Sequence, residues 1–330
     1  MADTIPTLAA VRAGACGGGP VGVEPVVVVA NPIAGRGAAA RAADAVCAAI
    51  ERAGIAAVRA DSTGPGREGM AGAILPHAPA RAIIVCGGDG SMHAVAGVAH
   101  DLGTPVSQVP MGTENLFARE CGMDGRAEAV VAALQSGCTT QMDLGRCNGE
   151  VFLLMCSVGP DAAVVRRLAA ARRGAISHLS YARHIAAELV RPTVTPVTIE
   201  VDGRVVVRDG VGWTVVANAR QYALRIDPAA DADVHDGMLD VVFLPARSSI
   251  GMARWALVSR MRAQSWGGSG RVVARGARVV VRSADDASEL VHQVDGDAGP
   301  EGKRVLEFAV VPGGLGVVGG GKADSGEWKA

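Results

Sequence analysis

The segment Gly87-Gly88-Asp89-Gly90-Ser91 carries the residue types best suited to chemistry. It follows an apolar run, Ala82 to Cys86, and precedes a stretch that reads as helix from Ser91 to His100. A buried strand, a glycine turn and a helix N-terminus together make an anion site. Glycines let backbone N–H groups approach phosphate oxygens, and the helix dipole favours negative charge there. Asp89 would repel a phosphate directly, so its presence points to a divalent cation, or water held by one, between the two. The first expectation is a nucleotide–Mg²⁺ site.

Two further units of the same form flank this one. The four-valine run Val26 to Val29 reads as a strand covered on both faces, followed by Asn31-Pro32-Ile33-Ala34-Gly35-Arg36-Gly37 and an Ala-rich helix to about Arg52. Pro105 to Val109 reads as another strand, followed by Pro110-Met111-Gly112-Thr113-Glu114-Asn115 and a helix through Phe117 to Cys121. Three loops with Gly and polar groups thus sit at the carboxyl ends of strands, the edge where open α/β sheets bind ligands. No loop matches GxxxxGKS/T, and none reads GxGxxG, which argues against a dinucleotide-dependent oxidoreductase.

These segments resemble, in order, the three motifs of the diacylglycerol kinase catalytic domain superfamily, which includes bacterial lipid kinases, sphingosine kinases and ceramide kinases. The resemblance runs from about Pro25 to Val318. Gly159-Pro160-Asp161-Ala162 is similar to the family's G-x-D-A. Ala217-Asn218, Pro228-Ala229-Ala230 and Asp236-Gly237-Met238-Leu239-Asp240 resemble its N-x…P-x-A…D-G-x-L-D segment, and Val294-Asp295-Gly296-Asp297 its late D-G-E. The fold implied is an α/β N-terminal domain (parallel sheet, Rossmann-like and three-layered) plus a β-sandwich-like C-terminal domain, with the active site in the interdomain cleft. The activity implied is ATP- and Mg²⁺-dependent phosphorylation of a lipid hydroxyl.

Phosphoryl transfer needs a phosphate cradle, a cation and a group that takes the hydroxyl proton. The resemblance assigns nucleotide contacts to Gly87, Gly88, Asp89, Gly90, Ser91, Gly112, Thr113 and Asn115, with Asn31 and Thr63 as further candidates. An Asn before Pro also suits a simple turn. Asp89 is cast as the cation-organising carboxylate. The family's Glu in D-G-E is Asp297 here, so Asp297 and Asp295 compete as proton acceptor. Leu116 stands where many bacterial relatives carry Asp. A second, structural Mg²⁺ is implied by resemblance alone, held by Asp236 with backbone carbonyls of Asp233 and Met238. The alternative is a solvated acidic turn, since Asp231, Asp233, Asp236 and Asp240 cluster, with His235 an exposed loop residue.

The 330 residues suffice for about two domains. The net charge of −1 gives no support for nucleic-acid binding. Seven Cys without a C-x-x-C pair suggest reduced thiols, a cytoplasmic setting and no zinc site. Residues 1–23 read as a flexible leader, 24–142 as a nucleotide-binding domain, 143–318 as a β-rich lipid-substrate domain whose last segment could return to the first, and 319–330 as a flexible tail. One helix is expected from Ser177 to Val190. With Leu168, Ile176, Leu179, Tyr181, Ile185 and Leu189, rimmed by Arg166, Arg167, Arg172, Arg173 and Arg183, it would suit transient contact with an anionic membrane. An ordinary packed amphipathic helix is the competing reading. A lipid substrate at a membrane surface is the expected partner, and a homodimer stays open. Two rivals stand: an NAD kinase-like enzyme, and a silent nucleotide-binding homologue suggested by Asp297 and Leu116.

Overall fold

The computed structural model describes residues 24–32, 34–170, 194–261, 270–285 and 288–319. In chain order the first half comprises β1 (Val26–Ala30), α1 (Ala38–Arg52), β2 (Ala57–Asp61), α2 (Gly66–Ile74), β3 (Ala82–Gly87), α3 (Asp89–Leu102), β4 (Val106–Pro110), α4 (Leu116–Glu120) and α5 (Ala127–Ser136). There follow β5 (Thr139–Cys147), β6 (Glu150–Phe152), β7 (Met155–Val158), α6 (Pro160–Ala170), β8 (Val197–Val201), β9 (Arg204–Gly210), β10 (Gly212–Ala217) and β11 (Leu239–Pro245). The chain continues through α7 (Ser249–Arg260), β12 (Val272–Gly276), β13 (Arg278–Ser283), β14 (His292–Val294), β15 (Asp297–Ala298) and β16 (Val305–Val318). The expected helix at 177–190 and its flanking Arg172, Arg173 and Arg183 lie outside the described residues, as do the leader and most of the tail.

The valine run of β1 is buried throughout because helices cover both faces of the parallel sheet. Val27 and Val29 enter one apolar cluster, and Val26 and Val28 enter the cluster under α1 and α5. Strands β2, β1, β3 and β4 pair in that order, all parallel. The sheet does not stop there. The end of β16 joins β4 in parallel through Val317 and Val106, and β16 then runs antiparallel to β5 and β13, which leads on to β8 and β9. The last strand therefore belongs to both halves. The expected change of texture at 142/143 falls within β5, which is itself a partner of β16.

A second, antiparallel sheet has the order β12-β11-β10-β7-β14-β15. Its inner face packs on β8 and β13, giving a sandwich core with Ile199, Val241, Val279 and Phe308. Alternation in β8 shows the period of two: Val197, Ile199 and Val201 are buried, while Thr198 and Glu200 are partly exposed. The opposite face of this sheet shares an apolar cluster with the first half, including Leu116, Phe117, Trp213 and Tyr222. The two halves meet through that cluster and through β16.

Candidate functional site

Helix α3 begins at Asp89, two residues earlier than the sequence suggests, so Asp89 itself lies in the first turn. Gly88 precedes it in extended conformation. The glycines are needed for close approach. A Cβ on Gly88 would meet Gly112 Cα at 3.0 Å, and one on Gly112 would meet Gly88 Cα at 2.8 Å. The two loops thus touch backbone to backbone, at the carboxyl ends of β3 and β4. Beyond Gly90 there is open space, with nothing within 4 Å of its Cβ position. Gly90, Gly112 and Thr113 are exposed, and Gly88 and Ser91 partly so. The arrangement sets exposed glycine backbone at a helix N-terminus, a setting suited to phosphate oxygens.

Asp89 is tied to the neighbouring helix: its Oδ1 accepts from the Phe117 N–H at 3.2 Å. Burial, with a smaller push from Asp295, raises its pKa against the N–H groups at the start of α4. Leu116 points into the core at 7 % exposure, so its position supplies backbone to this contact and no polar side chain.

One helical turn after Asp89 comes His93, whose importance no single-residue reading signalled. Its Nδ1 lies 2.9 Å from Asp295 Oδ2, joining the glycine helix to the second half of the molecule. Asp295 is anchored by three backbone donors: Leu153 N–H to Oδ2 at 2.6 Å, and Leu154 and Met155 N–H to Oδ1 at 2.8 and 3.0 Å. Burial opposes charge on His93, but the hydrogen bond and charge of Asp295, with Asp297 and Glu150 behind it, outweigh burial and raise its pKa. Asn218 sets the Leu153 loop by donating from Nδ2 to the carbonyls of Asp143 and Leu153, each at 2.8 Å. The i, i+4 spacing of Asp89 and His93 was readable as one helix face. The partner 202 residues away was not.

The two candidate proton acceptors are separated by the turn between β14 and β15. Asp295 is buried with both oxygens engaged, whereas Asp297 is exposed and pairs by its backbone with Val294. Three other candidates turn out to shape loops. Asn115 closes the Gly112 loop, with Oδ1 accepting from Gly112 N–H at 2.8 Å and Nδ2 donating to Gly112 O at 2.9 Å. These bonds give Asn115 a loop-shaping role and leave its amide one further N–H and one further lone pair. Thr63 Oγ1 donates to Gly69 O at 3.2 Å, fixing the start of α2. The Asn31 carbonyl accepts from Ala34 N–H at 3.0 Å, which is a turn role.

A buried polar line leads away from Asp295. Gln293, two residues earlier on the same face of β14, donates from Nε2 to Ser157 Oγ at 2.8 Å. The hydroxyls of Ser157 and Tyr222 both donate to Asp161 Oδ2. The Ala162 N–H adds a backbone hydrogen bond to the Asp161 carboxylate, while among the described residues Trp213 Nε1 and Thr214 Oγ1 are buried without a hydrogen-bond partner. Burial raises the pKa of Asp161 despite its two hydroxyl donors.

The acidic turn does not fit the expected second Mg²⁺. Asp236 Oδ1 accepts from Met238 N–H at 3.0 Å, and Oδ2 is paired with the Arg275 guanidinium. Arg275 Nε also lies 3.2 Å from Asp240 Oδ1. Asp233 Oδ1 accepts from His235 N–H at 3.1 Å. A cation would compete with a guanidinium already at the carboxylate, and no group of three or more metal-ligating side chains occurs among the described residues. Nearby, Asp143 accepts from Gly237 N–H and Gly313 N–H, each at 2.7 Å, and so ties this turn to the bulge of β16.

Fold and site together give two halves, with glycine loops on one and an anchored carboxylate on the other. The diacylglycerol kinase catalytic domain matches residues 25–147, and the YegS C-terminal NAD kinase β-sandwich-like domain matches residues 155–319. The chain belongs to this diacylglycerol kinase superfamily. It is 28% identical over 237 residues to a diacylglycerol kinase of Mycobacterium tuberculosis, covering 69% of this chain and 76% of that one. It is 23% identical over 168 residues to an uncharacterised protein of Synechocystis, covering 51% of this chain but only 39% of that protein. A crystal structure of a diacylglycerol kinase from Bacillus anthracis superposes with a TM-score of 0.63 at 15% identity, covering 89% of this chain and 96% of that one. Yeast NADH kinase complexed with NADH gives a TM-score of 0.51 at 11% identity, covering 90% and 83%. These two structural likenesses concern the fold.

Proposed function

We propose that this kinase transfers the γ-phosphoryl group of ATP to a hydroxyl of a lipid such as diacylglycerol or a sphingoid base. The observation that carries the reading is the His93–Asp295 bridge, which sets a polarised imidazole one turn from the glycine cradle. The Gly88 and Gly112 loops bind and orient the phosphates. Asp89 would hold a Mg²⁺ ion, which would supply charge neutralisation for the transferred group. Asp295, held by three N–H groups, fixes the His93 tautomer with Nδ1–H directed at it, leaving Nε2 to take the acceptor's proton. In this reading the proton goes to His93, with Asp295 orienting it and Asp297 adding negative charge nearby. The hydrogen bond and charge of Asp295 raise the pKa of His93 and so strengthen it as a base.

The test is ATP consumption by the purified protein with and without Mg²⁺, against a panel of diacylglycerol, monoacylglycerol, sphingoid base, ceramide and phosphatidylglycerol in mixed micelles. Mg²⁺-dependent turnover with one of these lipids is the expected result. A parallel well with NAD addresses the second reading, which the fold likeness to NADH kinase favours. Turnover with NAD alone would replace the lipid reading. Nucleotide binding with no turnover on any acceptor would point to a silent homologue.

A further inference from the structure

Helix α7 departs from the usual amphipathic pattern, in which one stripe is apolar and faces the core. Its inner side is conventional: Met252 and Trp255 are buried, and Trp255 Nε1 donates to Pro245 O at 2.9 Å. Ser248 caps its start by accepting from Gly251 N–H at 3.3 Å. The outer side carries Ile250 at 82 % exposure, Leu257 at 60 % and Met261, just past the last turn, at 58 %. With Arg254 these residues are spaced i, i+4, i+7 and i+11, one continuous stripe turned away from the core. Large side chains this exposed, set together on one helix, call for an occupant.

The charge around the stripe says which occupant. From Val241 to Ala284 the chain has no Asp or Glu and eight Arg, although the whole chain has a net charge of −1. Arg247, Arg254 and Arg260 are exposed at and around the stripe, and the Arg254 guanidinium lies 5.1 Å from the Trp255 ring centroid. A second copy of the same face would bring arginine against arginine, with no acid in this segment to pair. Apolar side chains rimmed by cations fit an anionic bilayer, where the alkyl groups enter the head-group boundary and the guanidinium groups meet lipid phosphates. No helix among the described residues is long and apolar enough to cross a membrane, so the contact is peripheral.

We infer that the outer face of α7 docks this protein on an anionic lipid surface. The inference rests on the lipid-kinase reading for its purpose, and on charge and exposure for its geometry. Met252 and Trp255 belong to the same apolar cluster as Trp213 and Tyr222, and Tyr222 bonds Asp161. The inner side of α7 thus packs on the apolar cluster that joins the second sheet to the first half, while its outer side is exposed. Most of the region expected to contact a membrane, from Arg172 to Leu189, lies outside the described residues. Of the described part of that region, Leu168 is buried and Arg166 is paired with Glu289 at 2.8 Å.

The experiment is flotation of the full chain, without nucleotide, on vesicles of phosphatidylcholine alone or mixed with phosphatidylglycerol. Binding is expected only with the anionic lipid and weakens as salt rises. The double variant Ile250→Glu, Leu257→Glu loses at least about tenfold in partitioning with an unchanged melting temperature, because both positions are solvent-facing. Arg247→Gln with Arg260→Gln, which keeps the apolar atoms, weakens binding by about tenfold and flattens its salt dependence. Undiminished binding by both variants, or equal binding to neutral vesicles, would overturn the proposal. So would a wild-type dimer in sedimentation that the Glu variant dissociates, since the stripe would then be a self-interface. Because no catalysis is required, α7-dependent docking by a protein that phosphorylates no lipid would refute the kinase reading and leave the docking surface standing.

Discussion

Two clusters of carboxylates in this molecule have opposite fates. At the seam between the halves, Asp295 is held by backbone N–H groups and shares one oxygen with a histidine. In the acidic turn, Asp236 and Asp240 converge on Arg275. Backbone donors fix a carboxylate while leaving its charge uncancelled, so it can still polarise a titratable neighbour. A guanidinium cancels the charge and ends the chemistry. Carboxylate density alone therefore does not identify a reactive site; the identity of the partner does.

The strongest way to break the comparison is Asp295→Asn. It removes the charge that orients His93 and puts an amide N–H₂ against backbone donors. Turnover in the lipid assay should fall by about 1,000-fold or more, and the melting temperature should drop as well, since one anchored N–H loses its acceptor. Asp89→Asn should also abolish measurable turnover, with the fold retained by circular dichroism, because in the proposed reading its charge holds the cation. A folded Asp89→Asn enzyme with wild-type kcat would remove Asp89 from the site.

His93→Asn sharpens the assignment of the base. Loss of about 100-fold in kcat is expected, with KM for ATP nearly unchanged and the rising limb of the pH–rate profile lost. It also carries a stability signature. The folded pKa of His93 is raised above its ordinary 6.5, so its protonated form stabilises the fold fully below the unfolded value. That stabilisation disappears as pH rises through the raised folded value. The gap in melting temperature between wild type and His93→Asn should thus be widest in mild acid and narrow at alkaline pH. Asp297→Asn, by contrast, should cost less than about tenfold in rate. A loss as large as that of His93→Asn would return the base to Asp297.

The smallest effect belongs to the acidic turn. Arg275→Met should leave kcat within about twofold and lower stability by about 1 kcal/mol, a modest figure because the Arg275 side chain is 41% exposed. Burial, with Asp231 and Asp233 nearby, pushes Asp240 up to about 6, so the loss should be greatest above that pH, where the turn is fully charged. Added Mg²⁺ should raise the melting temperature of this variant and not that of the wild type. Equal Mg²⁺ shifts in both would show that the turn accepts a cation beside Arg275.

Much of the architecture was legible because local pattern and burial agree. The valine run of β1 has to be covered on both sides, and the glycines at 87, 88 and 112 are what a backbone-to-backbone contact demands. The dipeptide Asp295-Gly296 is a hairpin turn in the structure as in the sequence, with φ of 47° and 87°. Other roles were illegible for a definite reason. Asn115 looks the same in sequence whether its amide meets a ligand or folds back 2.8 Å onto Gly112. Arg275 gives no sign that it will sit against Asp236, 39 residues away.

What the sequence alone determined was the set of strand–loop–helix units and the family they belong to, because apolar periodicity and glycine placement are properties of neighbouring residues. Only the tertiary structure decided which carboxylate is poised and which is neutralised. Pairing across 202 residues, as between His93 and Asp295, depends on how sheets and helices stack. The same burial that removes water from Asp295 also supplies the N–H groups that hold it.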